Sequence, residues 1–203
     1  MSLSKPVLIG IGALLLAGAF LLILLGGTYN SLVGADEDVN KAWSDVESQY
    51  QRRADLVPNL VASVKGAAEF ERSTLQAVVD ARSRVGQISL KEAPTAAQMQ
   101  TFQESQNALG GALTRLLVVA ENYPQLQATQ AFIDLQAQLE GTENRIAVAR
   151  QDYNLAAANY NKKRRGFPTV FLAGLLGFDA RAGFESAPGA EDAPKVDFGG
   201  GQP

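Results

Sequence analysis

Carboxylates are the most abundant chemically capable side chains in this sequence, 21 Asp and Glu among 203 residues, and they have neither histidine nor cysteine for company. Paired acids support proton transfer or metal binding when they converge, and helical di-metal sites build them as Glu-x-x-His pairs. Without imidazole that arrangement is closed, together with Cys/His zinc sites, haem ligation, thiol nucleophiles and imidazole triads. The acids are also poorly placed to converge. Glu69 and Glu71 stand two apart and diverge on a helix, while Asp36-Glu37-Asp38 reads as an acidic first turn matched to a helix dipole. Paired glycines show no phosphate-loop pattern. The expectation is no catalytic residue, no cofactor and no metal.

Two other groups attract attention. Arg53, Asp55, Pro58 and Asn59 gather within one short stretch. Pro58 cannot donate to the carbonyl of Ala54, and its ring crowds that turn. Asp55 and Asn59 flank it and can satisfy backbone groups that a kink frees. The structural reading pairs Arg53 with an acid on a neighbouring helix, Glu140 or Glu143, because an unpaired charge on a seam is costly. The functional reading makes Arg53, Asp55 and Asn59 a ligand or peptide site at the proline.

Lys162-Lys163-Arg164-Arg165 is the one basic cluster. Its structural role is to sit at the negative end of a helix and terminate it in solvent; the sharper role is contact with anionic lipid. Geometry decides between them. If the cluster's helix ran parallel to a first helix leaving a membrane, the cluster would lie far from the bilayer. Only a first helix folded back near Pro58 or Gly66 would bring it close. Four basic residues without interleaved aromatics make no nucleic-acid footprint.

The elements that must position these groups begin with Val7 to Leu25, 19 residues without a polar side chain. As a helix they cover roughly 28 Å, close to the hydrocarbon thickness of a bilayer. A secretory signal has a shorter apolar core and a small-residue cleavage site just beyond it, so we expect an uncleaved transmembrane helix. The amino terminus and Lys5 precede it and Lys41 is the next basic residue, so the positive-inside rule leans slightly towards an extracytoplasmic soluble domain. Gly10, Gly12, Ala13, Ala17 and Gly18 offer small surfaces for neighbouring helices, without a strict GxxxG.

Beyond the span the pattern is helical. Val39, Trp43, Val46, Tyr50, Arg53, Val57, Leu60, Val64 and Ala67 follow alternating four- and three-residue steps, a bundle or coiled-coil seam. With Leu75, Val78 and Val79 it continues to about Val85, and Pro58 and Lys65-Gly66 predict a kink or two helices end to end. A loop over 86–94 precedes a capping box at Thr95 and Gln98. Met99, Phe102, Leu109, Leu113, Leu116 and Ala120 form the second stripe, interrupted by Gly110-Gly111, which implies close backbone packing or a local break. Asn122-Tyr123-Pro124 makes a short turn, so the second and third helices are antiparallel neighbours. The third stripe is Phe132, Leu135, Leu139, Thr142, Ile146, Ala149, Tyr153, Ala156 and Tyr160. Gly166-Phe167-Pro168 stops it. Val170–Leu176 reads as a short fourth helix closing the bundle end, or as a membrane-surface or partner-binding segment. The composition from Arg181 onward is that of a disordered tail, although it ends in Val196-Asp197-Phe198.

The sequence resembles the LemA family. The resemblance rests on Tyr29-Asn30-Ser31-Leu32-Val33, Ala42-Trp43, Val46-Glu47 and above all the stretch from Arg52 to Val61. It continues through Glu69-Phe70-Glu71, Ala81-Arg82, Tyr153-Asn154, Tyr160-Asn161, Gly166-Phe167-Pro168, Phe178, Phe184 and Val196-Asp197-Phe198. It spans about residues 6 to 198, most loosely near Gly183 and Gly189. It implies a single-pass protein of the bacterial cell (inner) membrane with a helical, four-helix-bundle-like soluble domain, and no reaction. It also implies an N-terminus outside the cell, opposite to the charge count.

The expected architecture is all-α: an N-terminal flank (1–6), a transmembrane helix (7–25), an elongated antiparallel bundle of three long helices and a short fourth (26–178), and an acidic tail (179–203). The expected function is a membrane-anchored scaffold or interaction module that self-assembles through its long seams and meets other membrane proteins. The runner-up is a tethered adaptor or sensor binding a small ligand or peptide near Pro58.

Overall fold

A computed structural model of the chain describes residues 5–65, 71–90 and 92–185. Among them every regular element is helical: α1 (Lys5–Lys65), α2 (Arg72–Val85), α3 (Ala96–Ala120), α4 (Pro124–Gln127), α5 (Gln130–Arg165) and α6 (Thr169–Leu176). Gly66, Ala67, Glu69, Phe70, Gly189 and Val196-Asp197-Phe198 lie outside the described residues.

The first helix is longer at its start and less broken than the sequence predicts. It runs for 61 residues from the apolar segment into the domain without interruption at Pro58, and it ends at Lys65. Asp36, Glu37 and Asp38 therefore sit in mid-helix and open no first turn, because the apolar run and the seam share one continuous helix. Along that seam Val39, Trp43, Val46, Tyr50, Arg53, Val57, Leu60 and Val64 are all buried.

α2 returns along α1, so the seam expected to reach Val85 in one direction is folded into two antiparallel arms. Glu71, just before α2, accepts from Ser73 Oγ at 2.7 Å and Thr74 Oγ1 at 2.9 Å, gathering both hydroxyls of the first turn. These bonds lower its pKa from the ordinary carboxylate value. Val78, Ala81 and Val85 face the core.

α3 opens with the reciprocal Thr95–Gln98 capping box. Its stripe is buried as expected, joined by Gln106 where the apolar spacing skips a place. Gly110 and Gly111 neither break it nor require a close approach: a Cβ at Gly110 would lie 3.8 Å from Arg53 Nη1, and one at Gly111 would meet nothing within 4 Å. The stripe of α5 is buried from Phe132 to Tyr160 except that Ala157 replaces Ala156, since two successive four-residue steps follow Ala149.

α1 and α5 form the longest contact and α2 packs on α3. Trp43 meets Tyr153 while Arg53 meets Glu143, so α1 and α5 run antiparallel. The core has two parts. The distal part joins Leu56–Val64 of α1 to α2, α3, α4 and the start of α5. The proximal part joins Leu32–Tyr50 to Met99, Phe102, the second half of α5, Ala93 and Phe184. There the place of a fourth helix is taken by irregular backbone. Trp43 Nε1 donates to Leu90 O at 3.1 Å and Asn40 Oδ1 accepts from Ala93 N–H at 3.1 Å.

α6 packs on α1 and α5 but adds little to the core. Of its side chains only Ala173 is buried, and Phe171 and Leu175 are exposed at 70% and 81%. Gly177, at φ 75°, ends it in the left-handed conformation that favours glycine.

Candidate functional site

The four residues around Pro58 do not form one site. Arg53 points into the bundle, 4% exposed, whereas Asp55, Pro58 and Asn59 lie on the outer face of α1. This follows from helix geometry, since a seam position and those two and six residues on point to different sides. Asp55 accepts from Gln51 Nε2 at 2.9 Å. The carbonyl that Pro58 leaves free is met from another helix: Arg82 Nε donates to Ala54 O at 2.9 Å.

Arg53 is held from both sides. Nη1 donates to Glu143 Oε1 at 2.7 Å, and Nη2 donates to Gln106 Oε1 at 2.6 Å and Gln106 O at 3.1 Å. Glu143 is the partner, one of the two acids the sequence offers, and its side chain remains 52% exposed. The Arg53 guanidinium lies 4.9 Å from the Tyr50 ring centroid. Its Nε is buried without a hydrogen-bond partner. A groove between α3 and α5 opens beside it, lined by Gly110, Gly111, Thr114, Glu140 and Glu143 among others.

At the opposite end of the domain, the basic cluster terminates α5. Lys162, Lys163 and Arg165 are exposed; Arg164 turns inward and its Nε donates to Phe178 O. The antiparallel course of α5 brings this cluster back towards the apolar start of α1. The folded-back element that the geometry requires is α2, beyond an unbroken Pro58.

Residues 179–185 are strapped along α5, so the boundary expected after residue 178 falls inside ordered structure. Tyr160 OH donates to Asp179 O at 2.9 Å and Tyr153 OH to Ala182 O at 2.9 Å. Asn161 exchanges two bonds with the Arg181 backbone, and Asn154 two with Phe184. Two Tyr-Asn pairs seven residues apart thus hold the segment at two points two helical turns apart. Arg181 then locks it to α1 through a forked pair with Asp36, Nε donating to Oδ1 at 3.0 Å and Nη2 to Oδ2 at 3.1 Å, and donates to Ala93 O at 3.1 Å. Burial pushes the Tyr153 hydroxyl up to about 12, and raises Tyr160 and Tyr50 as well. Composition hid this strap, because apart from Phe184, buried in the proximal core, it is held mainly by hydrogen bonds from side chains of α5. The repeated Tyr-Asn pair was the available signal.

Comparison with known proteins follows the same residues. A model of the LemA family matches residues 42–198. Magnetosome protein MamQ 2 and Magnetosome protein MamQ 1, both of Paramagnetospirillum magneticum, are each 30% identical over 187 residues, covering 83% of this chain and 68% of theirs. Protein LemA of Metamycoplasma hominis is 25% identical over 183 residues, covering 86% of this chain and 80% of its own.

Proposed function

This chain belongs to the LemA family, and from that premise we propose that it is a single-pass bacterial membrane protein whose helical domain is a non-catalytic scaffold or interaction module. The observation that carries the reading is the continuity of α1. Its N-terminal part exposes Leu14, Leu15, Leu16, Phe20, Leu22 and Ile23 at 66–75%, on the one helix long and apolar enough to cross a membrane among the described residues. The same helix then supplies the buried seam of the bundle. An uncovered apolar surface of this size is costly in water and natural in lipid.

The polar interior supports a holding role. Arg53, Arg181, Tyr153 and Tyr160 are engaged by acids, amides and backbone carbonyls that brace helices and strap. Assembly through the bundle seams is less favoured, because those seams are buried within one chain. The small residues Ala13 and Ala17, four apart on the apolar segment, are the better contact between copies or with other membrane proteins. Native mass measurement of the full chain in nanodiscs tests this. A strict monomer contradicts self-assembly, and turnover abolished by one carboxylate substitution contradicts a non-catalytic role.

A second reading, a tethered sensor, draws on the unpartnered Arg53 Nε and the groove beside it. A small acid competing with the half-exposed Glu143 would raise the melting temperature of the chain. No shift across carboxylate and phosphate probes would dismiss it.

A further inference from the structure

Five large apolar side chains crowd around α6: Phe167, Val170, Phe171, Leu175 and Leu176 are exposed at 86, 45, 70, 81 and 49%. Scattered apolar residues are ordinary on a surface, but a contiguous group of this kind marks a contact. Its position says with what. α6 packs against both α1 and α5, and Phe178 directly after it meets Tyr29, four residues past the apolar run, with ring centroids 6.1 Å apart.

The register of the two long helices fixes the height. Trp43 opposes Tyr153 and Arg53 opposes Glu143, so each step along α1 is matched by one step back along α5. Arg165 then falls opposite about Ser31, six residues beyond Leu25. Six residues are roughly 9 Å of helix rise. The headgroup zone on each side of the hydrocarbon is roughly 5–7 Å deep, within reach of a long cationic side chain. The exposed Lys162, Lys163 and Arg165 therefore stand on one side of the collar of the domain, in the last turn of α5 just ahead of the exposed apolar side chains of α6. Acids stand nearby as well: Asp179 is at the collar, Asp36 is occupied by Arg181, Glu37 and Glu92 are exposed, and Asp38 and Asp152 line a groove with Lys162 and Lys163 further from the apolar run.

We propose that α6 lies on the surface of the bilayer that holds residues 7–25, with its apolar face in the interface and Lys162, Lys163 and Arg165 among anionic lipid headgroups. Apolar insertion beneath a cationic rim is the chemistry by which short amphipathic elements bind anionic membranes. The inference rests on the membrane-anchored reading above. It adds that the domain is held down at a second place, so it stands on the bilayer at a fixed height.

The chain has no cysteine, so single labels need no background changes. Nitroxides at L16C, F171C, L175C and V148C in the full chain would be compared in phosphatidylcholine vesicles with and without phosphatidylglycerol, using oxygen and a polar nickel chelate as collision probes. Each labelled chain is first matched to the parent by its thermal melt. The expected result is lipid exposure at 171 and 175, at a depth between the deep site at 16 and the aqueous site at 148. Phosphatidylglycerol should deepen it, and K162Q/K163Q/R165Q should abolish that deepening. Aqueous labels at 171 and 175 beside a deep label at 16 overturn the proposal alone. Labels shielded from both probes overturn it in favour of a second copy, and an aqueous label at 16 overturns the anchor as well. Depth indifferent to lipid charge and to the triple substitution removes the headgroup role.

Discussion

Arg82 Nε donates to the carbonyl of Ala54, the acceptor that Pro58, four residues on, has no N–H to meet. A proline inside a helix forfeits one backbone bond and crowds the preceding turn, yet α1 passes through Pro58 unbroken. The bond replaces the lost donor with one from α2 and ties the returning arm to α1 at the same point. An unmet buried carbonyl costs about 1–3 kcal/mol. R82A should lower stability to denaturant by about that amount, and P58A/R82A should recover much of it because an alanine in place of Pro58 supplies its own N–H. Equal losses from R82A with and without P58A would refute the pairing.

The Arg53 network should respond asymmetrically. Removing one member of a buried charged group leaves the others uncompensated, whereas an apolar replacement of similar length removes the demand for partners. R53A leaves Gln106 unmet and opens a void, so it should cost about 3 kcal/mol. R53M should cost clearly less. E143A should cost less than R53A, since the Glu143 carboxylate is half in solvent and Gln106 still receives Nη2. A denaturant series with R53M as harmful as R53A would show that the charge itself is required.

Alkaline pH should loosen the strap. Tyr153 titrates at about 12 in the folded chain, through burial, against about 10 when unfolded. A raised pKa on a group that is neutral when protonated gives stability that is intact below pH ~10 and falls away as pH rises towards ~12. Tyr160 and Tyr50 are shifted upward too and add to the same window. Stability measured against pH should therefore drop above pH ~10, and Y153F should be less steep there while starting lower for want of the bond to Ala182. A flat profile through that window would contradict the burial.

Two glycines should answer oppositely to alanine. Gly111 lies on the exposed side of α3 with open space around its missing Cβ, so G111A should raise stability by about 1 kcal/mol. A Cβ at Gly183 would stand 3.1 Å from Asn154 Oδ1, an atom already held by Phe184 N–H. Asn154 cannot withdraw without releasing the strap, so G183A should lower the melting temperature and expose the Asn154–Phe184 amides to hydrogen exchange. G183A matching the parent in both would mean the strap is slack.

The seams were legible because burial on a helix repeats every three to four residues, and Val39 to Val64 keep that spacing through Arg53. The Arg53–Glu143 pairing was half legible for the same reason, since a charge on a seam demands an acid nearby. What escaped were partnerships set by chain reversal. Nothing local in Arg82 says that it reaches Ala54, and nothing in Asp179–Glu185 says that Tyr153 and Tyr160 will hold its carbonyls. The position of Lys162–Arg165 beside the part of α1 that follows the apolar run depended on the same reversal, through the number of arms between α1 and α5.

All of these features converge on one mechanical claim: the apolar segment and the bundle share a single rod, so the domain is carried at a set orientation to whatever the segment enters. Leu16 and Lys41 are both exposed on α1, 25 residues apart, which on an unbroken helix is about 37 Å. Spin labels at L16C/K41C in the nanodisc-embedded chain should give one narrow distance distribution near that value. A broad distribution, or a main distance well short of it, would contradict a continuous α1 and the anchored rod with it.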